Sequence, residues 1–148
     1  MKRLFGSHEN KLDAKGRVSV PAAFRNVWKA TPEMTLVLRP SLLDGCVEAW
    51  PLPDYAKFQE KVDALAETDP EHYALASVVY SQAAEVELDA QGRIMIPAHL
   101  AARAKLADAV CFLGRGDHFH IWEPEAGRAF LEASCAAAPK IAFGVPAR

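Results

Sequence analysis

The stretch that decides the fold is "LDAKGRVSVPAAFR", residues 12–25, because "LDAQGRIMIPAHLA" repeats it 76 positions later, at 88–101. The copies share Leu, Asp, Ala, Gly, Arg, Pro and Ala at 12/88, 13/89, 14/90, 16/92, 17/93, 21/97 and 22/98. Val18 and Val20 align with Ile94 and Ile96. Each shared residue has a local physical role. Asp13 and Asp89 suit the first position of a type I turn, where a carboxylate accepts backbone N–H groups. Gly16 and Gly92 suit the left-handed position that closes a three-residue hairpin, where a Cβ is penalised. Val18 and Val20 then point to one face of the outgoing strand and Ser19 to the other. Pro21 opens a short helix, since its missing N–H would have no intrahelical partner. Strand, turn, strand and helix are therefore expected at both places.

The halves stay parallel downstream. "MTLVLRP" and "AVCFLGR" read as strands. "LDGCVEAWP" and "GDHFHIWEP" each read as a turn and a strand ending in Trp near a Pro. Each unit is β-β-α-β-β, and one unit cannot cover both faces of its own sheet. The fold class expected is α+β, with two such units forming a pseudo-two-fold β-barrel with peripheral helices. The first unit spans 5–51, a helical connector 52–82, the second unit 83–124, and a C-terminal helix with a loose tail from "PKIAFGVPAR" spans 125–148. In the connector, Tyr55, Phe58, Val62 and Leu65 make one helical stripe. Tyr73, Val79 and Tyr80 make a second stripe, expected to pack rather than to hold a cofactor.

Composition is that of a globular protein, 51% apolar and 24% charged. No apolar run reaches the roughly 18 residues of a membrane span, and the first twelve residues lack a signal-peptide core. A cytoplasmic location is expected. Cys46, Cys111 and Cys135 are widely spaced without CxxC, which argues against a disulfide framework or zinc ribbon. The net charge of −2 hides an asymmetry: residues 1–39 carry +5 and the remainder −7. That clustering of cations is the electrostatic footprint expected of a nucleic-acid binder.

Chemistry is otherwise sparse. His118 and His120 would share one face of a strand and could chelate a metal, yet no Cys or acidic partner is placed obviously enough to complete a site. His8, His72 and His99 are isolated. No nucleophile elbow or phosphate loop is present, so neither an enzyme nor a cofactor is expected. Arg17 has two readings. It could pair with Asp13 across the hairpin neck, as Arg93 could with Asp89. It could equally project to phosphate or to the O6 and N7 of guanine. The first copy adds Lys15, Arg25 and, on the preceding strand, Lys11; the second has Gln91 and Ala101 in the places of Lys15 and Arg25.

At these residues the sequence resembles the MraZ family of bacterial transcriptional regulators, with paired DxxxR motifs in "DAKGRVSVPAAFR" and "DAQGRIMIPAHL". The likeness extends through "HENKLDAKGR", "LLDGCVEAWPLPDY", the connector and "GDHFHIWEP". It implies two tandem AbrB-like swapped-hairpin units, and a repressor of the division and cell-wall gene cluster. Its partners would be double-stranded DNA, at direct repeats of a short G-rich box upstream of its own gene, and further copies of itself in a ring. It would associate with the nucleoid, without a membrane or small-molecule substrate. Arg17 would be the leading DNA contact with Lys15, Arg25 and Lys11 beside it. Arg93 would hold the same motif place in the second unit with less charge around it. Two other readings compete: a structural ring that binds no DNA, and an antitoxin-type partner, for which the ten-residue tail is short.

Overall fold

The computed structural model describes residues 3–31 and 33–144. Each half runs strand, strand, helix, strand, strand. The first half holds β1 (Ser7–Lys11), β2 (Arg17–Ser19), α1 (Ala22–Arg25), β3 (Thr35–Pro40) and β4 (Val47–Pro51). The second holds β5 (Ala84–Glu87), β6 (Arg93–Met95), α4 (Ala98–Arg103), β7 (Ala109–Gly114) and β8 (Phe119–Trp122). Between them lie α2 (Leu52–Asp63) and α3 (Pro70–Ala76), and α5 (Pro124–Phe143) follows β8.

Strand pairing interleaves the halves. Six strands form one antiparallel sheet in the order β1-β7-β8-β4-β3-β5, and β2 pairs with β6 in a separate ribbon. The order is symmetric about the β8–β4 seam: β1 lies on β7 as β5 lies on β3. The expected hairpins form only at their tips. β1 and β2 share a single bridge, Leu12 to Val18, and each takes its ladder partner from the other half.

The expectation of a closed barrel is corrected. Among the described residues the sheet stays open, with β1 and β5 at its edges. The ribbon strands are three residues long, and among the described residues each has a ladder only with the other, the Leu12–Val18 bridge being the one β-contact of the ribbon with the large sheet's edge.

The two sheet faces are covered by different elements, which is why β3 and β7 read as continuous apolar runs. Leu36, Leu38, Val110 and Phe112 turn toward the ribbon and join Val18, Val20, Ile94, Ile96, Phe24 and Leu100 in the main core. Phe24 is fully buried, 5.0 Å from Phe119 and edge-on to Phe112 at 6.4 Å. Neither half could enclose this cluster alone, so the repeat has a folding cause. On the opposite face, Val37 packs with Tyr55 and Val62 of α2 and with Val79, while Cys111, Leu113 and Trp122 pack beneath Phe130 of α5.

Three helical details differ from the pattern reading. The α2 stripe ends with Val62, and Leu65 lies past the helix, only half-buried. After α3 the backbone widens into a π-turn over Ser77–Ser81, which turns Val79 inward and leaves Tyr73 and Tyr80 exposed. The expected loose tail is helical as far as Phe143, passing through Pro139, because the alanine-rich stretch before it propagates the helix strongly. Gly144 caps it in the left-handed conformation. Residues 145–148 lie outside the described residues.

Candidate nucleic-acid interface

The two DxxxR segments fold as one small unit each. The Asp13 carboxylate accepts from the backbone N–H groups of Lys15 at 2.9 Å and Arg17 at 2.8 Å. Its other oxygen takes the Nε–H of Arg17 at 2.7 Å. Asp89 repeats this with Gln91 N, Arg93 N and Arg93 Nε, all at 2.9 Å. The Gly16 N–H closes on the Asp13 carbonyl, and Gly92 on Asp89, both at 3.0 Å. Both glycines need positive φ, +82° and +76°. The backbone N–H of Arg17 and of Arg93, with the adjoining side chains, holds the two carboxyls below the usual range. The ion pair and the outward arginine are thus one arrangement. Asp binds Nε and fixes the direction of the side chain. The terminal amino groups of Arg17 make no hydrogen bond among the described residues.

The β2–β6 ribbon then brings both arginines to one surface. Arg17 pairs with Met95, Val18 with Ile94, and Ser19 with Arg93. Val18 and Ile94 point into the core. Alternation therefore sets Arg17, Ser19, Arg93 and Met95 on the outer face. Arg17 and Arg93 are diagonal neighbours, about 7–8 Å apart at Cα. Met95 is 55% exposed there. The ribbon position of Met95 and Ser19 escaped the sequence reading. Alternation shows which face they take, but no local signal pairs β2 with β6.

The remaining cations divide differently from their order in the chain. Lys15 sits at the tip of the first turn and is exposed. Lys11 ends β1 opposite Ala109, on the edge of the large sheet rather than on the ribbon. Arg25 leaves the first turn altogether. Its Nε donates to the Val20 carbonyl at 2.9 Å, and its side chain lies across Gly92 of the second turn. A Cβ built on Gly92 would stand 2.7, 2.8 and 2.9 Å from Cδ, Nε and Cζ of Arg25. Ala101, its counterpart in the repeat, flanks the first turn near Lys15 and Gly16. Arg25 thus stands at the second turn rather than beside Arg17, because each turn packs on the strand–helix junction of the other half.

A second polar cluster lies on the opposite sheet face. Glu48 stands across β4–β8 from His120. With His118 they place three ligand-type atoms within 4.8 Å of one another. The acidic member of the cluster thus comes from the neighbouring strand β4. The hydrogen bonds fit a closed network better than a metal. Glu48 Oε1 already accepts from Arg39 Nη2 at 3.2 Å and Trp50 Nε1 at 3.0 Å. Trp122 Nε1 donates to His120 Nδ1 at 3.2 Å. An indole N–H only donates, so neutral His120 carries its proton on Nε2 and offers no lone pair there. His118 stacks on Trp50 at 3.9 Å and bonds Asp117 at 2.8 Å. The cluster carries the Arg39 guanidinium, 5.0 Å from the Phe58 ring of α2, and so fastens the connector to the sheet.

The model of a family described as "MraZ protein, putative antitoxin-like" matches residues 4–76 and 79–142. The chain belongs to the MraZ family. A protein of Gluconacetobacter diazotrophicus named transcriptional regulator MraZ is 43% identical over 129 residues, 85% of this chain and 82% of its own. Its namesake in Rhodospirillum rubrum is 37% identical over 142 residues, covering 95% and 89%. That of Lactiplantibacillus plantarum is 40% identical over 121 residues, 82% of each. Among the described residues no helix is long and apolar enough to cross a membrane.

Proposed function

We propose that the protein is a sequence-specific DNA-binding transcriptional regulator whose β2–β6 ribbon enters the major groove. One observation carries the reading: two arginines, each held by its own aspartate, stand on one exposed face of a two-stranded ribbon. The major groove admits such a ribbon, and Arg is the usual reader of guanine O6 and N7. Arg17 reads guanine, Lys15 meets phosphate, and Met95 offers an apolar contact of the kind a thymine methyl fits. The names of the relatives support regulation of transcription.

The finer reading follows the resemblance. Each half is an AbrB-like swapped-hairpin unit. The target is a set of direct repeats of a G-rich box upstream of the protein's own gene, in the division and cell-wall cluster, and the effect is repression in association with the nucleoid. One ribbon neutralises few phosphates and binds weakly. A ring of subunits presents several ribbons to successive boxes, and effective concentration raises the affinity.

The test is a gel shift at fixed salt on duplex from upstream of the gene, with protection mapping. Arg17→Ala should lose about 1–3 kcal/mol for each guanine contacted while keeping the wild-type unfolding profile. Wild-type affinity in a folded Arg17→Ala protein refutes the assignment.

A further inference from the structure

The position of Arg25 changes what the second turn can do. Val20 links the two. Its N–H donates to the Gly92 carbonyl at 3.0 Å, and its carbonyl accepts from Arg25 Nε at 2.9 Å. The guanidinium is thereby held against the turn, over a glycine whose Cβ would crowd it as the two now stand. Gly92 is directly followed by Arg93. The first turn has the matching backbone bond, Ile96 N to Gly16 O at 2.8 Å, but Ala101 there leaves an apolar groove.

Spatial grouping reverses the balance suggested by Lys15 and Gln91. Around the first turn stand Lys15 and Arg17, with Asp13 and, lining the adjoining groove, Glu87. Around the second stand Arg93 and Asp89, and the groove beside that turn is lined by Arg25, Lys29 and Glu33. Among these described residues the first tip has as many carboxylates as cations, and the second has one cation to spare. Bound through Nε, Arg25 keeps its two terminal amino groups for an anion, in the fork geometry that suits phosphate.

Resting on the DNA-binding reading, we infer that Arg25 is the phosphate contact of the second turn, supplied by the first half across the ribbon in place of the cation that Gln91 lacks. Both tips then grip the duplex, each with one motif arginine toward the bases and one further cation on the backbone. The ribbon is pseudo-symmetric in its arginines and asymmetric in its phosphate clamps.

The experiment measures affinity for the upstream duplex across a salt series, with wild type, Arg25→Ala, Arg25→Gln, Lys15→Ala, Arg93→Ala and Arg17→Ala. Arg25→Gln removes the charge and keeps a donor for Val20, so it guards against loss of fold in the alanine variant. Both Arg25 variants should weaken binding about tenfold and lower the log–log salt slope by about one per engaged subunit. Arg25→Ala with Lys15→Ala should multiply the single losses. Combined with Arg93→Ala on the shared tip it should lose less than the product. A folded Arg25→Gln protein with wild-type affinity, or one weakened with an unchanged slope, overturns the inference. If Arg17→Ala is defective in that same experiment, the DNA-binding reading survives. If wild type binds no duplex, or Arg17→Ala binds normally, both fall together.

Discussion

Lowering the pH from 7 to 5 should destabilise the folded chain by about 2 kcal/mol through His120 alone. This side chain is 3% exposed. Burial pushes its pKa from 6.5 down to about 4. Arg115, His118 and Arg39 push the same way, and Glu48 opposes them. Between those two pH values the unfolded chain takes up a proton that the folded chain refuses, so stability falls as pH falls. At about 1.4 kcal/mol per pKa unit, the loss reaches about 2 kcal/mol at pH 5 and about 3 kcal/mol at pH 4. Asp13, Asp89 and Glu123 are held low by their hydrogen bonds. Their contribution is complete above the ordinary carboxylate pKa and fades only below it, so these three carboxylates do not produce the loss between pH 7 and 5. Urea unfolding at pH 7, 6 and 5 and one protein concentration measures it, comparing wild type with His120→Gln. The glutamine carbonyl can still accept from Trp122, so that variant should show a flatter profile. An equally steep loss in both proteins, or none in wild type, would refute the reasoning.

Phe24→Ala should cost about 3–5 kcal/mol in the same assay, because Phe24 is fully buried between Phe119 and His8 from the two halves. A loss below about 1 kcal/mol would mean that the shared core is not what joins the repeats. Thiol titration of the native protein with a disulfide reagent at pH 8 should find one reactive cysteine, and three after denaturation. Cys135 is exposed, whereas Cys46 is fully buried with its thiol pushed up to about 12, and burial also raises Cys111.

The turns were legible because their causes are local. An aspartate four residues before an arginine, with glycine between, can satisfy its own backbone in only a few ways. The carboxylate, the left-handed glycine and the arginine Nε all meet within five residues. The strands β3 and β7 were legible as apolar runs, though not which helix would cover which face. Pro139 misled because a proline inside an alanine-rich run costs one hydrogen bond without ending the helix. The Glu48–His118–His120 cluster was missed because its acidic member is some 70 positions away and arrives through the β4–β8 register.

The sequence by itself determined the units: two copies of strand, turn, strand and helix, too small to close a core alone, with an arginine fixed at each turn. Those features depend on backbone chemistry and side-chain spacing over a few residues. Only the tertiary structure decided how the copies share their strands. Pairing β2 with β6 put Arg17 and Arg93 on one face, and seating each turn on the opposite half carried Arg25 to Gly92. Both outcomes depend on contacts between residues some 70 positions apart. Their energies come from burying Val18, Ile94 and Phe24 in a single core, which neither repeat encodes separately.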